Sequence, residues 1–462
     1  MSEYDVAVIG GGPSGYVAAI KAAQLGGKVA IIEKDRFGGT CLNRGCISAR
    51  TFLHSAEILE TARKSQSRGV MGSENLYADI DKIIDAKNEV AKKLSAGVEG
   101  LIKSNQITII KGNGEYRNGK VFADGEEIGE CSKVILCGGS STMIPNIPGV
   151  SDPMVMTSDE LLDYLEIPER LCIIGGGVIG VEFAQAYSAF GSLVTVIEGT
   201  ERILPAMDKE ISDAIAKRMK RSSIQVVTGH TVKQIKRISE DLLSVETDDG
   251  NEFCADAVLL AIGRKPDLSS IQDSGIKFEN GAIKVDSNLR TTVNNVFAAG
   301  DITGINMLAH AAMYMGKIAA ENAMGNNIDA EFDVIPSCVH GFIEGASIGL
   351  SESQAIEEYC GEIKVGRFPI MGNGRALAED CAEGFVKIIA TKKFSEIIGV
   401  QIVGPNATEM INNFAGLIKM EVTTEDFDSF VYAHPCFSEA AWEAVADSDG
   451  KSIHLPCKYL RK

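Results

Sequence analysis

Basic charge, long apolar runs, aromatic rings and histidine are all scarce in this chain. Its 45 Lys and Arg face 63 Asp and Glu, a net charge of −18 at pH 7. A nucleic-acid partner needs a basic footprint for phosphate, so no nucleic acid is expected, and an anionic membrane surface is equally disfavoured. No stretch of about 18 apolar residues is free of charges or glycine clusters, so no membrane-spanning helix is expected. The N-terminus, Met-Ser-Glu-Tyr-Asp, lacks a basic region ahead of an apolar segment. A signal or transit peptide would carry one, and a cytoplasmic protein is expected. Cys-x-x-Cys pairs are missing too. The 11 cysteines are scattered and odd in number, neither the dense even framework of a small secreted domain nor a zinc pattern. No metal site is expected. Aromatics make up 6% of the chain, and there are 6 His and 1 Trp.

What is present is glycine, 48 residues of it, in a 462-residue chain that is 45% hydrophobic. That describes a soluble α/β protein long enough for about three domains. The apolar strand Val6–Ile9 runs into Gly10-Gly11-Gly12-Pro13-Ser14-Gly15, then an alanine-rich helix through Leu25, then the strand Val29–Ile32 and Glu33. This is the strand, Gly-x-Gly-x-x-Gly, helix, strand, acid order of a dinucleotide site. Gly10 permits the tight turn, Gly12 lets the backbone approach a pyrophosphate, and Gly15 lets the helix pack closely. Glu33, 23 residues after Gly10, bonds a ribose hydroxyl.

Prolines 145, 148 and 153 mark a boundary near residue 150, after which the pattern returns. Leu171–Ile174 precedes Gly175-Gly176-Gly177-Val178-Ile179-Gly180, a helix, the strand Leu193–Ile197 and Glu198, again 23 residues from the first glycine. A repeated βαβ unit implies two dinucleotide sites. Glu198 suits a free ribose 2′-hydroxyl and repels a 2′-phosphate, so the second site favours NAD over NADP. A 2′-phosphate would want an arginine, and Arg202 stands four residues on.

Between the two units lies Gly38-Gly39-Thr40-Cys41-Leu42-Asn43-Arg44-Gly45-Cys46. Five residues of regular helix rise about 7.5 Å and turn about 140°, whereas a disulfide wants Cα atoms about 4.4–6.8 Å apart. A regular helix cannot join Cys41 to Cys46, and the glycines at 38, 39 and 45 let the backbone leave it. The pair reads as a redox-active disulfide beside a cofactor, against the alternative of two unrelated buried thiols.

The remaining pattern predicts helices over Ile47–Lys64, within Leu76–Lys103 and over Met307–Met324, and strands at Ile107–Ile110, Lys133–Leu136, Ala257–Ile262 and Val296–Ala299. Asp301, directly after a strand and a glycine, reads as a contact to a cofactor hydroxyl or as a helix cap. From about residue 335 the signal is mixed α+β. It predicts strands near Ile363–Arg367, Phe385–Ala390 and Ile397–Val403, and helices at Glu409–Met420 and Ser438–Val445. There His434-Pro435-Cys436-Phe437-Ser438-Glu439 places an acid near a histidine, the only side chain poised near neutral pH when unperturbed.

Taken together, the two dinucleotide units, the Cys-x4-Cys after the first, the Ala-Gly-Asp after the second and the late His-Pro…Glu resemble the two-cysteine flavoprotein disulfide reductases, over essentially the whole chain. Within that family the pattern is most similar to the branch that reoxidises protein-bound dihydrolipoyl groups of 2-oxo acid dehydrogenase or glycine cleavage complexes. The resemblance implies two Rossmann-like dinucleotide-binding domains and a C-terminal α+β dimerisation domain. The corresponding limits are an FAD-binding domain with the disulfide over 1–150, an NAD-binding domain over 151–272, a central segment completing the FAD site over 273–345, and an interface domain over 346–462. FAD would be held by Gly10, Gly12, Gly15, Glu33, Gly39, Thr40, Gly114, Ser140, Asp301, Met307, Leu308, Ala309 and His310. NAD would be held by Gly175, Gly177, Gly180, Glu198 and Gly263. Catalysis would rest on Cys41 as the exchange thiol and Cys46 as the flavin-facing thiol. His434 and Glu439 would reach the disulfide of the other subunit of a homodimer. The partner would be a lipoyl-bearing protein.

The sequence departs from the family at four places. Arg50 stands where a lysine usually sits near the flavin and pairs with a glutamate, expected here at Glu182. Cys436 replaces the threonine of His-Pro-Thr, Cys137-Gly138-Gly139-Ser140 replaces Ala-Thr-Gly-Ser, and His340-Gly341-Phe342-Ile343-Glu344 replaces aromatic-Thr-x-Pro-Glu. The mercuric branch of the family carries a C-terminal cysteine pair, and here Cys457 is single. Two other readings stand beside the lipoyl one. The first is a reductase of another low-molecular-weight disulfide, and the second an assembly subunit of weakened catalysis.

Overall fold

The computed structural model describes residues 3–456, so Cys457 lies outside the described residues. Its first sheet has the order Val296–Ala298, Cys131–Leu136, Tyr4–Ile9, Val29–Glu33, Thr108–Lys111, every neighbour parallel. The inner strands read as unbroken Val, Ile and Ala because both faces are covered. One cover is a close pair of helices, Pro13–Gln24 against Ala309–Ala323. Alanines line this contact: Ala18, Ala19 and Ala22 on one helix and Ala311, Ala319 and Ala320 on the other are all buried. Small side chains let the two axes approach, which is why these helices show little apolar bulk in sequence.

The second sheet has the order Gln225–Thr228, Leu193–Glu198, Arg170–Ile174, Ala257–Leu260, Val155–Thr157, again all parallel. After Leu260 the chain crosses back sooner than residue 273. Arg264–Pro266 pairs with Ser140–Thr142, and Ile271–Gln272 pairs with Tyr116–Arg117, so backbone hydrogen bonding returns these residues to the first unit. The third sheet is antiparallel, in the order Ser337–Val339, Glu344–Gly349, Ile397–Gly404, Phe385–Thr391, Ile363–Pro369. The helix Glu439–Ser448 packs across its last two strands.

Several expected helices differ in extent. Glu409–Met420 is two pieces, Ala407–Met410 and Asn412–Lys419, and the last helix runs to Ser448. Leu76–Lys103 is a single helix, Ile80–Ser104, started by Asp79, whose carboxylate accepts from Lys82 N–H. The helix Cys46–Lys64 begins one residue earlier than expected, at the second cysteine itself.

A buried lysine ties the second unit to the third sheet. Lys387 is 1% exposed, and its Nζ lies 3.0 Å from both Asp208 carboxylate oxygens, 3.0 Å from Glu210 Oε1 and 3.3 Å from Glu352 Oε2. Arg367 bridges the same Glu210 and Glu352. Removing one partner of a buried ion network leaves an uncompensated charge, at a cost of about 3–5 kcal/mol. Lys387→Met is therefore expected to lower the unfolding free energy by about 3 kcal/mol, read as a fall in the denaturation midpoint. An unchanged midpoint would show that the network contributes nothing to this junction.

Candidate active site

The two glycine loops have the same construction. Gly10 and Gly175 have φ of +102° and +111°. A Cβ at Gly15 would meet Gly10's carbonyl oxygen at 1.8 Å, and one at Gly180 that of Gly175 at 2.0 Å. Gly12 and Gly177 differ, for a Cβ there would meet nothing closer than 3.9 Å at Gly12 and nothing within 4 Å at Gly177. That space lies over the start of a helix, Pro13–Gln24 or Val178–Phe190, and no side chain caps either one. Six other helices take a side-chain cap, from Asp79, Thr157, Asp208, Ser351, Asn373 or Thr423. Unfilled N–H groups, a positive helix end and open space above a glycine suit a pyrophosphate. The residues therefore fit the dinucleotides FAD and NAD.

The two acids are held alike as well. Glu33 accepts from Gly11 N–H (2.6 Å) and Asp35 N–H (2.8 Å), and Glu198 from Gly176 N–H (2.7 Å) and Thr200 N–H (2.8 Å). Each carboxylate is fixed at its strand end with lone pairs left for ribose hydroxyls. Arg202 is committed elsewhere, donating to the carbonyls of Pro205 (3.0 Å) and Met207 (3.1 Å). The sequence left that arginine open as a 2′-phosphate ligand, and here its Nη2 is bound to the Pro205 and Met207 carbonyls. Gly263, with φ of +121°, follows the strand Ala257–Leu260, and Gly114 opens the strand Gly114–Arg117 against Ile9 and Ile32.

The cysteine stretch folds as two helices, Gly39–Arg44 and Cys46–Lys64, broken at Gly45. Gly39 sits on the first glycine loop, since a Cβ on it would lie 2.7 Å from Gly12 Cα. Thr40 and Cys41 follow in the first of these helices and are half-buried. Asn43 staples this turn by donating from Nδ2 to the carbonyls of Phe37 and Gly39. Both cysteines are thiols here, Cys41 half-buried and Cys46 exposed. Cys46 is the first residue of a 19-residue helix whose N-terminus no side chain caps. A hydrogen bond from Cys41 holds the Cys46 thiol below its ordinary range, outweighing burial, and a backbone N–H adds to the effect. Cys41 is pushed far upward, first by that same bond and then by burial. Cys46, at the uncapped start of its helix, is where an anion is favoured.

Asp301 adds a weaker electrostatic push upward on both thiols. Its carboxylate accepts from Ser140 Oγ (2.6 Å), and Arg264 donates from Nε to that hydroxyl (2.8 Å) and from Nη2 to the Ser140 carbonyl (2.7 Å). Asp301 thus opens a short 3-10 turn and is also tied to the Cys137–Ser140 loop. Arg264 is a site residue that sequence reasoning missed. Its only signal was its place after a strand and glycine. Met307 and Leu308 lead into the helix Ala309–Ala323, whose N-terminus is likewise uncapped by any side chain, and His310 Nε2 lies 2.8 Å from the Pro336 carbonyl.

The structure corrects the expected partner of Arg50. Its guanidinium pairs with Glu57 at 2.5 Å, one side of the same helix reaching both residues. Glu182 instead accepts from the backbone N–H of His340 (3.0 Å), and burial pushes its carboxyl up. Glu57, seven residues from Arg50, had no motif to mark it. Glu182 still acts on Cys46, raising it, and on Arg50 and His340, so these groups share one neighbourhood.

His434 and Glu439 meet as a pair. His434 Nδ1 lies 2.9 Å from Glu439 Oε1, while Glu439 Oε2 accepts from Cys436 N–H at 2.8 Å. Burial would raise Glu439, but the Cys436 N–H and His434 more than offset it, and its carboxyl lies below the usual range. The His434 side chain is 78% exposed. Among the described residues no hydrogen bond or ion pair links this dyad to Cys41 or Cys46 of the same chain. One other trio, His230, Asp248 and Asp249, gathers ligand atoms within 4.8 Å. There the imidazole bridges two exposed carboxylates through opposite nitrogens, at 3.0 and 3.6 Å, and is an ion-pair relay in form.

Residues 4–316 match the family described as pyridine nucleotide-disulphide oxidoreductase, and residues 335–445 match its dimerisation domain. A dihydrolipoyl dehydrogenase of Bacillus subtilis (strain 168) is 37% identical over 459 residues, covering 97% of this chain and 99% of its own. One from Geobacillus stearothermophilus is 38% identical over 467 residues, covering 99% and 98%. Among solved structures, LpdA from Mycobacterium tuberculosis superposes with a TM-score of 0.89 at 25% identity, covering 95% of this chain and 98% of its own. The HOCl-induced flavoprotein disulfide reductase RclA from Escherichia coli gives 0.86 at 28% identity, covering 96% and 99%.

Proposed function

The chain belongs to the pyridine nucleotide-disulphide oxidoreductases, and on that premise we propose that it reoxidises dihydrolipoyl groups through Cys41 and Cys46, with FAD and NAD as cofactors. The reaction is that of a dihydrolipoyl dehydrogenase, the activity carried by relatives that align over nearly the full chain. The observation that carries the assignment of roles is the cysteine pair set beside the first glycine loop, with Cys46 at an uncapped helix start.

From the oxidised couple, His434 takes the proton of a dihydrolipoyl thiol at Nε2, while Glu439 at Nδ1 holds the imidazole in place and balances its cation. The lipoyl thiolate attacks Cys41 Sγ, the Cys41–Cys46 bond breaks, and Cys46 leaves as the thiolate that its helix end favours. The second lipoyl sulfur then attacks its partner sulfur in the mixed disulfide. The lipoyl ring closes, Cys41 leaves as a thiol with the proton returned by His434, and His434 in turn takes the proton of the second lipoyl thiol, so both substrate protons stay on Cys41 and His434 while Cys46 keeps the negative charge. FAD supplies the two-electron transfer between the reduced couple and NAD+. Asp301, Ser140 and Arg264, joined to one another, are polar groups that would hold FAD. The exposed His434 belongs to the segment that matches the dimerisation domain, so it serves the cysteines of a second subunit. The lipoyl group arrives on a partner protein, which the exposed half-site of each chain leaves room for.

Turnover of dihydrolipoamide by the FAD-loaded protein is the direct test, with NAD+ and NADP+ as alternative acceptors. NAD+ is expected to support it. Glu198 opposes a 2′-phosphate with Arg202 tied away, and a like-charge approach costs several kcal/mol, so kcat/KM with NADP+ should fall at least about 100-fold. Absence of turnover with NAD+ would overturn the reading. Faster reduction of another disulfide, such as glutathione or coenzyme A disulfide, would favour a low-molecular-weight disulfide reductase.

A further inference from the structure

Glu182 is a partly buried carboxylate that makes no ion pair among the described residues. Its one hydrogen bond comes from the His340 backbone, and the guanidinium acting on it, Arg50, is held by Glu57. The other positive candidate is the His340 ring. Its Nδ1 is buried without a hydrogen-bond partner and faces Glu344 Oε1 at 3.8 Å. That is too long for a hydrogen bond but well within reach of an ion pair. A ring nitrogen turned toward a carboxylate carries its hydrogen, since a lone pair there would be repelled. The side chain is 36% exposed, so protons enter and leave at Nε2.

The surroundings hold this arrangement still. Glu344 Oε2 accepts from Thr408 N–H (3.0 Å) and Oγ1 (2.9 Å). Phe342 N–H donates to Gln185 Oε1 (2.9 Å), and Gln185 Nε2 donates to the His340 carbonyl (3.4 Å). Gly341, with φ of +149°, leaves the room Gln185 needs, for a Cβ there would lie 2.2 Å from its Nε2. The loop is therefore sewn to the helix Val178–Phe190 on both sides of His340.

We propose that His340 is a positioning residue of the redox centre: its imidazolium, held by Glu344, balances Glu182 and makes the Cys41–Cys46 couple responsive to pH near neutrality. The inference rests on the disulfide role given above. The charged groups around the ring are Glu182 from one helix, Glu344 from its own segment, and Arg50 with its partner Glu57 from the cysteine helix. Glu409 acts on Cys338 in the adjoining strand, whose thiol is raised to about 11, chiefly by burial. Carboxylates outnumber the one guanidinium, which favours a cation at His340. Its pKa is accordingly raised, first by Glu344, against burial and Arg50. Glu182 raises Cys46, so a charged His340 eases formation of the Cys46 thiolate and a neutral one opposes it. The sign follows: below the His340 titration the thiolate is favoured, and above it that help is lost.

The test is the dithiol–disulfide equilibrium of Cys41 and Cys46 in the FAD-loaded protein, set with glutathione buffers from pH 6 to 9 and read by alkylation and mass spectrometry. The native curve is expected to show a break that follows the 13Cε1 resonance of His340. His340→Phe should remove the break. Glu344→Gln should move it to lower pH by about one unit, and His340→Lys should hold the low-pH behaviour across the range. A purely structural role would displace the whole curve and leave the break in place. A break unchanged in His340→Phe overturns the proposal, and so does one unmoved in Glu344→Gln. If His340→Phe fails to retain FAD absorbance, the Glu344→Gln arm decides. Absent dihydrolipoamide turnover with the break still tracking His340 would overturn the assigned substrate and leave this inference standing.

Discussion

Cys41→Ser is expected to lose dihydrolipoamide oxidation by roughly 10³-fold or more while retaining FAD absorbance and NADH-dependent reduction of artificial acceptors. The serine keeps the size of the site but cannot form the mixed disulfide. The acceptor reaction uses only the cofactors, whose loops, Gly10 to Gly15 and Gly175 to Gly180, do not use that sulfur. The contrast with Cys46→Ser sharpens the prediction. Removing Cys46 leaves Cys41 without its hydrogen-bond partner, so Cys41 should become the readily alkylated thiol in that variant. In the native reduced protein the order should be reversed, because Cys46 stands at the uncapped helix start that favours an anion. Dihydrolipoamide turnover surviving in Cys41→Ser would remove the exchange role from this residue.

His434→Gln is expected to slow dihydrolipoamide oxidation by about 10²–10⁴-fold at neutral pH, the usual contribution of a general base. The loss should shrink as pH rises. A free thiol ionises near pH 8.5, so the substrate then supplies its own thiolate and needs the base less. Native enzyme should show no comparable gain. The pairing of subunits can be read from the same variants. In a hybrid dimer of Cys41→Ser and His434→Gln chains, one site combines Cys41 of one chain with His434 of the other, while the second site has neither. Co-expression with two affinity tags should therefore recover about half the native activity if the dyad reaches across subunits. If both groups acted within one chain, every site would lack one of them and the hybrid would stay inactive. That outcome would reassign the exposed dyad.

Several parts of this protein were legible without coordinates because their physics is local. A glycine loop between a strand and a helix must turn tightly and come close to phosphate. That requirement writes itself into consecutive residues, twice, with an acid at the same distance each time. The break between Cys41 and Cys46 was legible for the same reason, since no regular helix can bring them together and Gly45 is where it yields. The α/β class followed from such patterns, and the third, antiparallel layer from their absence after residue 335.

What only the tertiary structure decided concerns long side chains and groups far apart in sequence. Arg50 could reach Glu57 on its own helix or Glu182 on another, and local geometry settled it for Glu57. Arg202 could have met a phosphate, but two backbone carbonyls claim it. Ser140, Arg264 and Asp301 converge only because the chain returns to the first unit through Arg264–Pro266. His340 looked like a departure from a pattern, and its meaning comes from a buried ring nitrogen facing Glu344 beside an unbalanced Glu182. Backbone demands repeat at short spacing and are therefore visible in a sequence. A charge's choice of partner depends on distances and burial that the fold alone sets.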